Sequence, residues 1–150
     1  MEVRIYVAAP MKEKELAREA AKQLTDAGFR VVSRWLWLHG DKPADDSGLL
    51  YDPEVLKREA TNDAQDVFNC DVFVLLNTQL RGEETSGKAV ETGMAMAWGK
   101  PVILVGSPTN VFHYLDVIKV SDVIGAIYVI NDWVKEYAKN NPGVEVEVTQ

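Results

Sequence analysis

A glutamate stands inside an apolar helix face of this chain. Ser86-Gly87-Lys88-Ala89-Val90-Glu91-Thr92-Gly93-Met94-Ala95-Met96-Ala97-Trp98 reads as a helix that follows a loop. At about 100° per residue, Val90, Met94, Ala95, Ala97 and Trp98 share one broad apolar face, and Glu91 points into the middle of it. A carboxylate aimed inward is costly unless it is paired or used. The helix begins only a few residues earlier, so the positive end of its dipole favours the ionised form. An ionised, partly desolvated carboxylate near a helix start is a candidate nucleophile. A Glu that merely hydrogen-bonds near the helix start is the alternative.

Asp63 is a second acid on an apolar face. In the helix predicted over 53–68, Leu56, Ala60, Asp63 and Val67 follow the i, i+4, i+7, i+11 spacing of an inward stripe. Asp66 falls further out by the same count. Carboxylates on the two helices that flank one strand can converge on one ligand pocket. Such a pair suits cleavage of a glycosidic bond: one acid attacks or stabilises the anomeric carbon, and the other handles the leaving group's proton. A boundary Asp bonded to a backbone amide is the plainer alternative.

Other residues at the same edge could support that chemistry. Tyr6 lies in the first predicted strand, where its hydroxyl could hold a carboxylate or its ring could fill space. Ala8, Ala9 and Pro10 are small or rigid and let a ligand approach the backbone. Ser86 and Gly87 open the Glu91 helix, and their amides and hydroxyl could hold a phosphate or a sugar hydroxyl; a simple serine cap is the alternative. Lys12 could add a positive charge for a phosphate, or be solvated. Trp35 and Trp37 alternate with Leu36 and Leu38, and could stack on a nucleobase or serve as core or subunit contact. No G-x-G-x-x-G fingerprint or P-loop is present. His39, His113 and the lone Cys70 do not form a metal set, so neither metal nor cofactor is expected.

These residues need a scaffold. The apolar runs 3–9, 71–76 and 102–106 read as buried strands, with 29–35 as a further strand and 117–120 as a short edge strand. Helices are predicted over 12–27, with Leu16, Ala20 and Leu24 inside and Gly28 as the stop, over 53–68 with Asp52 as cap, after Gly87, and over 122–139. Residues 111–114 suggest a short helical turn. The polar stretch 39–52 has the length of a functional lid, and 77–87 is a second polar loop. Alternating strands and helices predict an α/β three-layer sandwich: a parallel, Rossmann- or flavodoxin-like sheet of about five strands with helices on both faces. Ligands bind such sheets at the carboxyl ends of the strands. A single domain over 1–150 is expected.

Composition narrows the partners. Lys and Arg number 16 against 23 Asp and Glu, a net charge of −7. That argues against a nucleic-acid polymer but not against a single nucleotide. One cysteine allows no internal disulfide and suits a reducing compartment, with Cys70 expected as a buried, inert thiol. The absence of a signal peptide and of a membrane-spanning apolar run leads to the expectation of a cytoplasmic protein with no membrane partner.

Taken together, the chain resembles the nucleoside 2-deoxyribosyltransferase family, which includes related nucleotide N-glycoside hydrolases. The carriers are Ile5-Tyr6-Val7-Ala8-Ala9-Pro10, Asp63 eight residues before Asp71, Cys70-Asp71-Val72-Phe73-Val74, and the segment from Ser86 to Ala95 that leads to Gly99-Lys100-Pro101-Val102-Ile103. That last segment looks like the family's G-x-x-x-E-x-G-x-A … G-K-P-V pattern. The resemblance implies Glu91 as nucleophile at C1′ of a 2-deoxyribosyl unit, through a covalent glycosyl-enzyme. It implies Asp63 as the acid that contacts the base and assists proton transfer, and Tyr6 as the residue that orients the nucleophile. It also implies transfer to another base or to water, and a homo-oligomer whose sites are completed by a neighbour's C-terminal residues. Nucleotide-using members carry serine and basic residues near the first strand and before the catalytic helix; Ser86 and Lys12 match loosely, and Pro10 replaces a serine. The rival readings are a hydrolase of NAD or other ribonucleotides, and a non-catalytic nucleotide-binding module. A receiver-like domain is disfavoured because no acidic cluster ends the first strand.

Overall fold

The structure, a computed structural model, describes residues 2–38, 53–78 and 86–145. The expected lid over 39–52, the Asp52 cap and the middle of the 77–87 loop lie outside these residues, as does the end of the C-terminal tail. Strands β1 (Arg4–Ala8), β2 (Arg30–Val31), β3 (Val72–Asn77), β4 (Val102–Gly106) and β5 (Val117–Val120) form one parallel sheet in the order β2-β1-β3-β4-β5. The helices are α1 (Lys14–Asp26), α2 (Trp35–Leu38), α3 (Pro53–Asn69), α4 (Ser86–Ala97) and α5 (Val123–Asn140). Helix α1 packs with α5, and α3 with α4, so the sheet is sandwiched between two helical layers. This is the flavodoxin-like architecture that the alternation of elements implies. All six residues of β3 are buried, as a central strand covered on both faces requires.

The registers sort side chains by face. Tyr6 pairs with Phe73 and Ala8 with Leu75; Leu75 pairs with Leu104 and Asn77 with Gly106. Alternation puts these residues on one face of the sheet, and the rings of Tyr6 and Phe73 stack at 5.4 Å. The opposite face carries Ile5, Val7, Val74 and Ile103, all buried.

Helix α1 corrects one detail. Its buried stripe is Ala17, Ala20, Ala21 and Leu24, whereas Leu16 is exposed. The small alanines let α1 lie close to the sheet and set its rotation, which turns Leu16 outward. Gly28, with φ of 95°, makes the left-handed turn out of the helix.

The second strand is shorter than the 29–35 run. The Val32 amide still donates to the Ile5 carbonyl at 2.9 Å, but the chain then leaves the sheet. Two side chains take over its bonding to β1. Ser33 Oγ accepts the Val7 amide at 2.6 Å, and the Trp35 indole donates to the Val7 carbonyl at 2.8 Å. Residues 35–38 are apolar at every position, so their pattern does not separate strand from helix; they form α2. The next residue from Ser33, Arg34, reaches α3 instead: its amide and Nε donate to Asp66 at 3.0 and 2.9 Å.

Helix α3 therefore presents Asp66 inward, contrary to the reading that turned it out. Asp66 is 5% exposed. Its burial is tolerable because the Arg34 guanidinium and backbone amide satisfy the carboxylate. Leu56 is only partly buried and Ala60 is exposed, so the inner stripe lies around Asp63, Asp66 and Val67.

Candidate active site

Helix α4 leaves the carboxyl edge of β3 and descends along the sheet. Its buried residues are Lys88, Thr92 and Ala95. Val90, Ala97 and Trp98 are exposed, so Glu91 does not sit in the middle of an apolar stripe. It lies on the flank of the buried stripe, partly buried. That flank also carries Met94 and Trp98 at i+3 and i+7, and Trp98 meets Phe68 of α3 edge-to-face at 5.3 Å. Glu91 thus faces α3. Asp63 belongs to the stripe of α3 that faces the sheet, one turn nearer the helix start than Asp66.

The charges of both acids reach Tyr6. This side chain is fully buried on β1, and its hydroxyl has no hydrogen-bond partner among the described residues. Burial pushes the Tyr6 phenol well above its usual pKa, and the charges of Glu91 and then Asp63 push it further. Glu91 also comes within hydrogen-bonding influence of this hydroxyl. One buried phenol therefore feels both carboxylates, from two helices, over one sheet. The hydroxyl stays protonated at neutral pH and can donate a hydrogen bond.

Asp63 is a weakened acid. Partial burial raises its pKa from 3.8 to about 7, with the Asp66 and Glu59 charges adding and Arg34 opposing. A carboxyl group with a pKa near 7 can give and take a proton at neutral pH. Its environment differs from that of Glu91, which lies near the start of α4 where the helix dipole favours negative charge. Two acids with separated environments are the pattern of a nucleophile and an acid–base partner.

The remaining predicted residues are distributed around this core. Ala8 and Pro10 are buried at the end of β1, with Ala9 partly so, and the Pro10 carbonyl starts the 3-10 turn Met11–Glu13 by accepting the Glu13 amide at 2.8 Å. Lys12 is exposed on that turn. Gly87 is exposed in the first turn of α4, and a Cβ there would meet nothing within 4 Å among the described residues. Ser86 begins α4, but its side chain lies outside the described set. Trp35 is buried with its indole bonded to β1, as core rather than as a stacking surface. Trp37 is exposed, with the Arg18 guanidinium 5.6 Å from its ring, so the two tryptophans do not share a side.

Sequence reasoning passed over a polar cluster beside the site. Lys88 donates to Asn77 Oδ1 at 2.9 Å, and Asn77 Nδ2 donates to the Ser107 carbonyl at 2.5 Å and to Thr109 Oγ1 at 3.0 Å. The Thr109 amide donates to Nδ1 of buried His113 at 3.0 Å. Lys88 was legible through its spacing: it precedes Thr92 by four residues and Ala95 by seven, on the stripe that faces the sheet. Asn77 was legible as the polar residue that ends an apolar strand.

Cys70 is the buried thiol expected, with burial raising its pKa to about 11. Among the described residues no helix is long and apolar enough to cross a membrane, and no group of His, Cys, Asp and Glu stands together as a metal site.

The fold is shared with solved structures. A 2-deoxyribosyltransferase from Bacillus psychrosaccharolyticus matches with a TM-score of 0.62 at 20% identity, over 83% of this chain and 90% of that one. The Clostridium botulinum CMP N-glycosidase BcmB matches with a TM-score of 0.51 at 20% identity, over 85% of this chain and 98% of that one. BlsM matches with a TM-score of 0.55 at 18% identity, over 95% of this chain and 97% of that one. At these identities the likeness is one of fold. No curated protein sequence matches the chain significantly. The model of the nucleoside 2-deoxyribosyltransferase family matches residues 5–148, a span that contains Tyr6, Asp63 and Glu91, and the chain belongs to this family of enzymes of the N-glycosidic bond.

Proposed function

We propose that this protein cleaves or exchanges the N-glycosidic bond of 2′-deoxynucleosides or their monophosphates by double displacement, with Glu91 as nucleophile. The observation that carries this reading is the buried Tyr6 hydroxyl under the joint influence of Glu91 and Asp63. In the first step a Glu91 carboxylate oxygen bonds to C1′ while the C1′–N bond breaks, and the departing base takes a proton from Asp63. In the second step water or another base attacks C1′, Asp63 takes the proton released, and the Glu91 carboxylate leaves. Splitting one displacement into two lowers each barrier. Tyr6 donates to the Glu91 oxygen that does not attack and fixes its rotamer. The start of α4 at Ser86 and Gly87, the backbone of Ala8, Ala9 and Pro10, and the Lys12 charge form the sugar and 5′ side, with Trp35 as the wall behind β1.

The chain acts as one domain in a homo-oligomer. An apolar cavity of about 550 Å³ beside α4, lined by Val90, Met96, Phe112 and Leu115 among others, supports a subunit contact there. The buried, weakly acidic Cys70 suits a reducing compartment such as the cytoplasm.

Incubation with deoxynucleosides and their monophosphates, with and without a second free base, tests the reading by release or exchange of base. Glu91→Gln should fold and lose this activity by at least about a thousandfold, in line with loss of a covalent nucleophile. A Glu91→Gln enzyme with full turnover overturns the assignment. Ribose-containing substrates and NAD run in parallel separate the rival hydrolase.

A further inference from the structure

We propose that Lys88 is a positioning residue for the reaction at Glu91: its buried ammonium ties the first turn of α4 to Asn77 and keeps the Glu91 carboxylate charged through both half-reactions. The inference rests on the N-glycosidic reading above. Lysine is among the residues least often found fully buried, and Lys88 is 5% exposed. Its ammonium points at the carboxyl end of β3, where Asn77 Oδ1 accepts it at 2.9 Å. Asn77 is in turn fixed by the Ser107 carbonyl and Thr109 Oγ1 on the segment after β4. The Lys88 carbonyl also accepts the Thr92 hydroxyl at 2.7 Å. This chain of bonds locks the rotation of α4 about its axis, and that rotation decides where Glu91 points.

The charge has a second consequence. Residues at i and i+3 on a helix are neighbours, about 5–6 Å apart at Cβ, so the fixed cation belongs to the turn of α4 that adjoins Glu91. Among the described residues, the groups linked to Glu91 through Tyr6 of β1 include Asp63 from α3, with Asp66 and Glu59 acting on Asp63 and Arg34 paired to Asp66. That set is dominated by acids, which oppose ionisation of a further carboxylate. Lys88 counters them. In the first half-reaction it holds Glu91 ionised for attack; in the second it stabilises the carboxylate as it leaves C1′.

The Glu91 carboxyl carbon, followed by NMR and assigned by its absence in Glu91→Gln, reads the effect without any substrate. In Lys88→Met and in Lys88→Gln the titration midpoint of Glu91 should rise by about one pH unit, and Lys88→Arg should restore it. The acid limb of the kcat profile should move with it, while KM stays within about twofold. An unshifted Glu91 in a folded Lys88→Met or Lys88→Gln protein overturns the inference. Lys88→Gln keeps a donor for Asn77, so the question stays open to test if the methionine variant does not fold. Failure of the functional reading looks different: the wild-type protein then releases no base, while the Glu91 titration still reports on Lys88.

Discussion

Replacing Asp63 with asparagine should stabilise the protein while it harms the reaction. The pKa of Asp63 rises from 3.8 to about 7 on folding, because burial and the Asp66 and Glu59 charges disfavour its ionised form. Between those two values the native state keeps a proton that the unfolded chain has lost. Stability therefore falls as pH rises from about 4 to about 7 and stays reduced above that. Each tenfold in acidity is worth about 1.4 kcal/mol, so the ceiling on this loss is about 4 kcal/mol. Asp63 is only partly buried, and solvent screening brings the expectation to about 2 kcal/mol. Asparagine imitates the protonated form at every pH. Urea denaturation of wild type and Asp63→Asn from pH 4 to pH 8 should give equal stabilities at the acid end and a variant more stable by about 2 kcal/mol at the alkaline end. Base release by the variant should drop by about a hundredfold or more, since its amide carries no transferable proton. A stability difference that does not change with pH would refute the argument that desolvation tunes this acid.

Tyr6→Phe should leave folding stability within about 1 kcal/mol of wild type in thermal denaturation, because the hydroxyl removed has no hydrogen-bond partner in the substrate-free structure, yet it should cut kcat by about tenfold or more by removing the bond to Glu91 proposed for the reacting complex. Gly106→Ala should cost at least about 2 kcal/mol in urea denaturation, because Gly106 has φ of 119° and a Cβ there would strike the Asn77 carbonyl oxygen.

The sequence carried the architecture because its strands are long apolar runs bounded by glycine and proline, a signal that burial on both faces makes strong. It carried Glu91 and Asp63 as acids on faces that should be apolar, though the angular count misjudged their neighbours. Periodicity places a residue to within about one position around a helix, and α4 and α3 each settle with a different stripe against the sheet. Polar residues that pay for their own burial, Lys88 through Asn77 and Asp66 through Arg34, defeat a count that treats polarity as exposure. The joint influence of both acids on Tyr6 needs strand order and register, and no local pattern encodes those. The end of β2 was illegible for another reason: Ser33 and Trp35 replace backbone pairing with side-chain bonds, and the alternation of residues does not report that exchange.

The amide and carbonyl of Val7 are satisfied by Ser33 and Trp35, so the backbone of the strand bearing Tyr6 is closed off at this position by two side chains from the segment beyond β2. A substitution at Ser33 or Trp35 therefore reaches the first strand directly, as the loss of a ladder bond would.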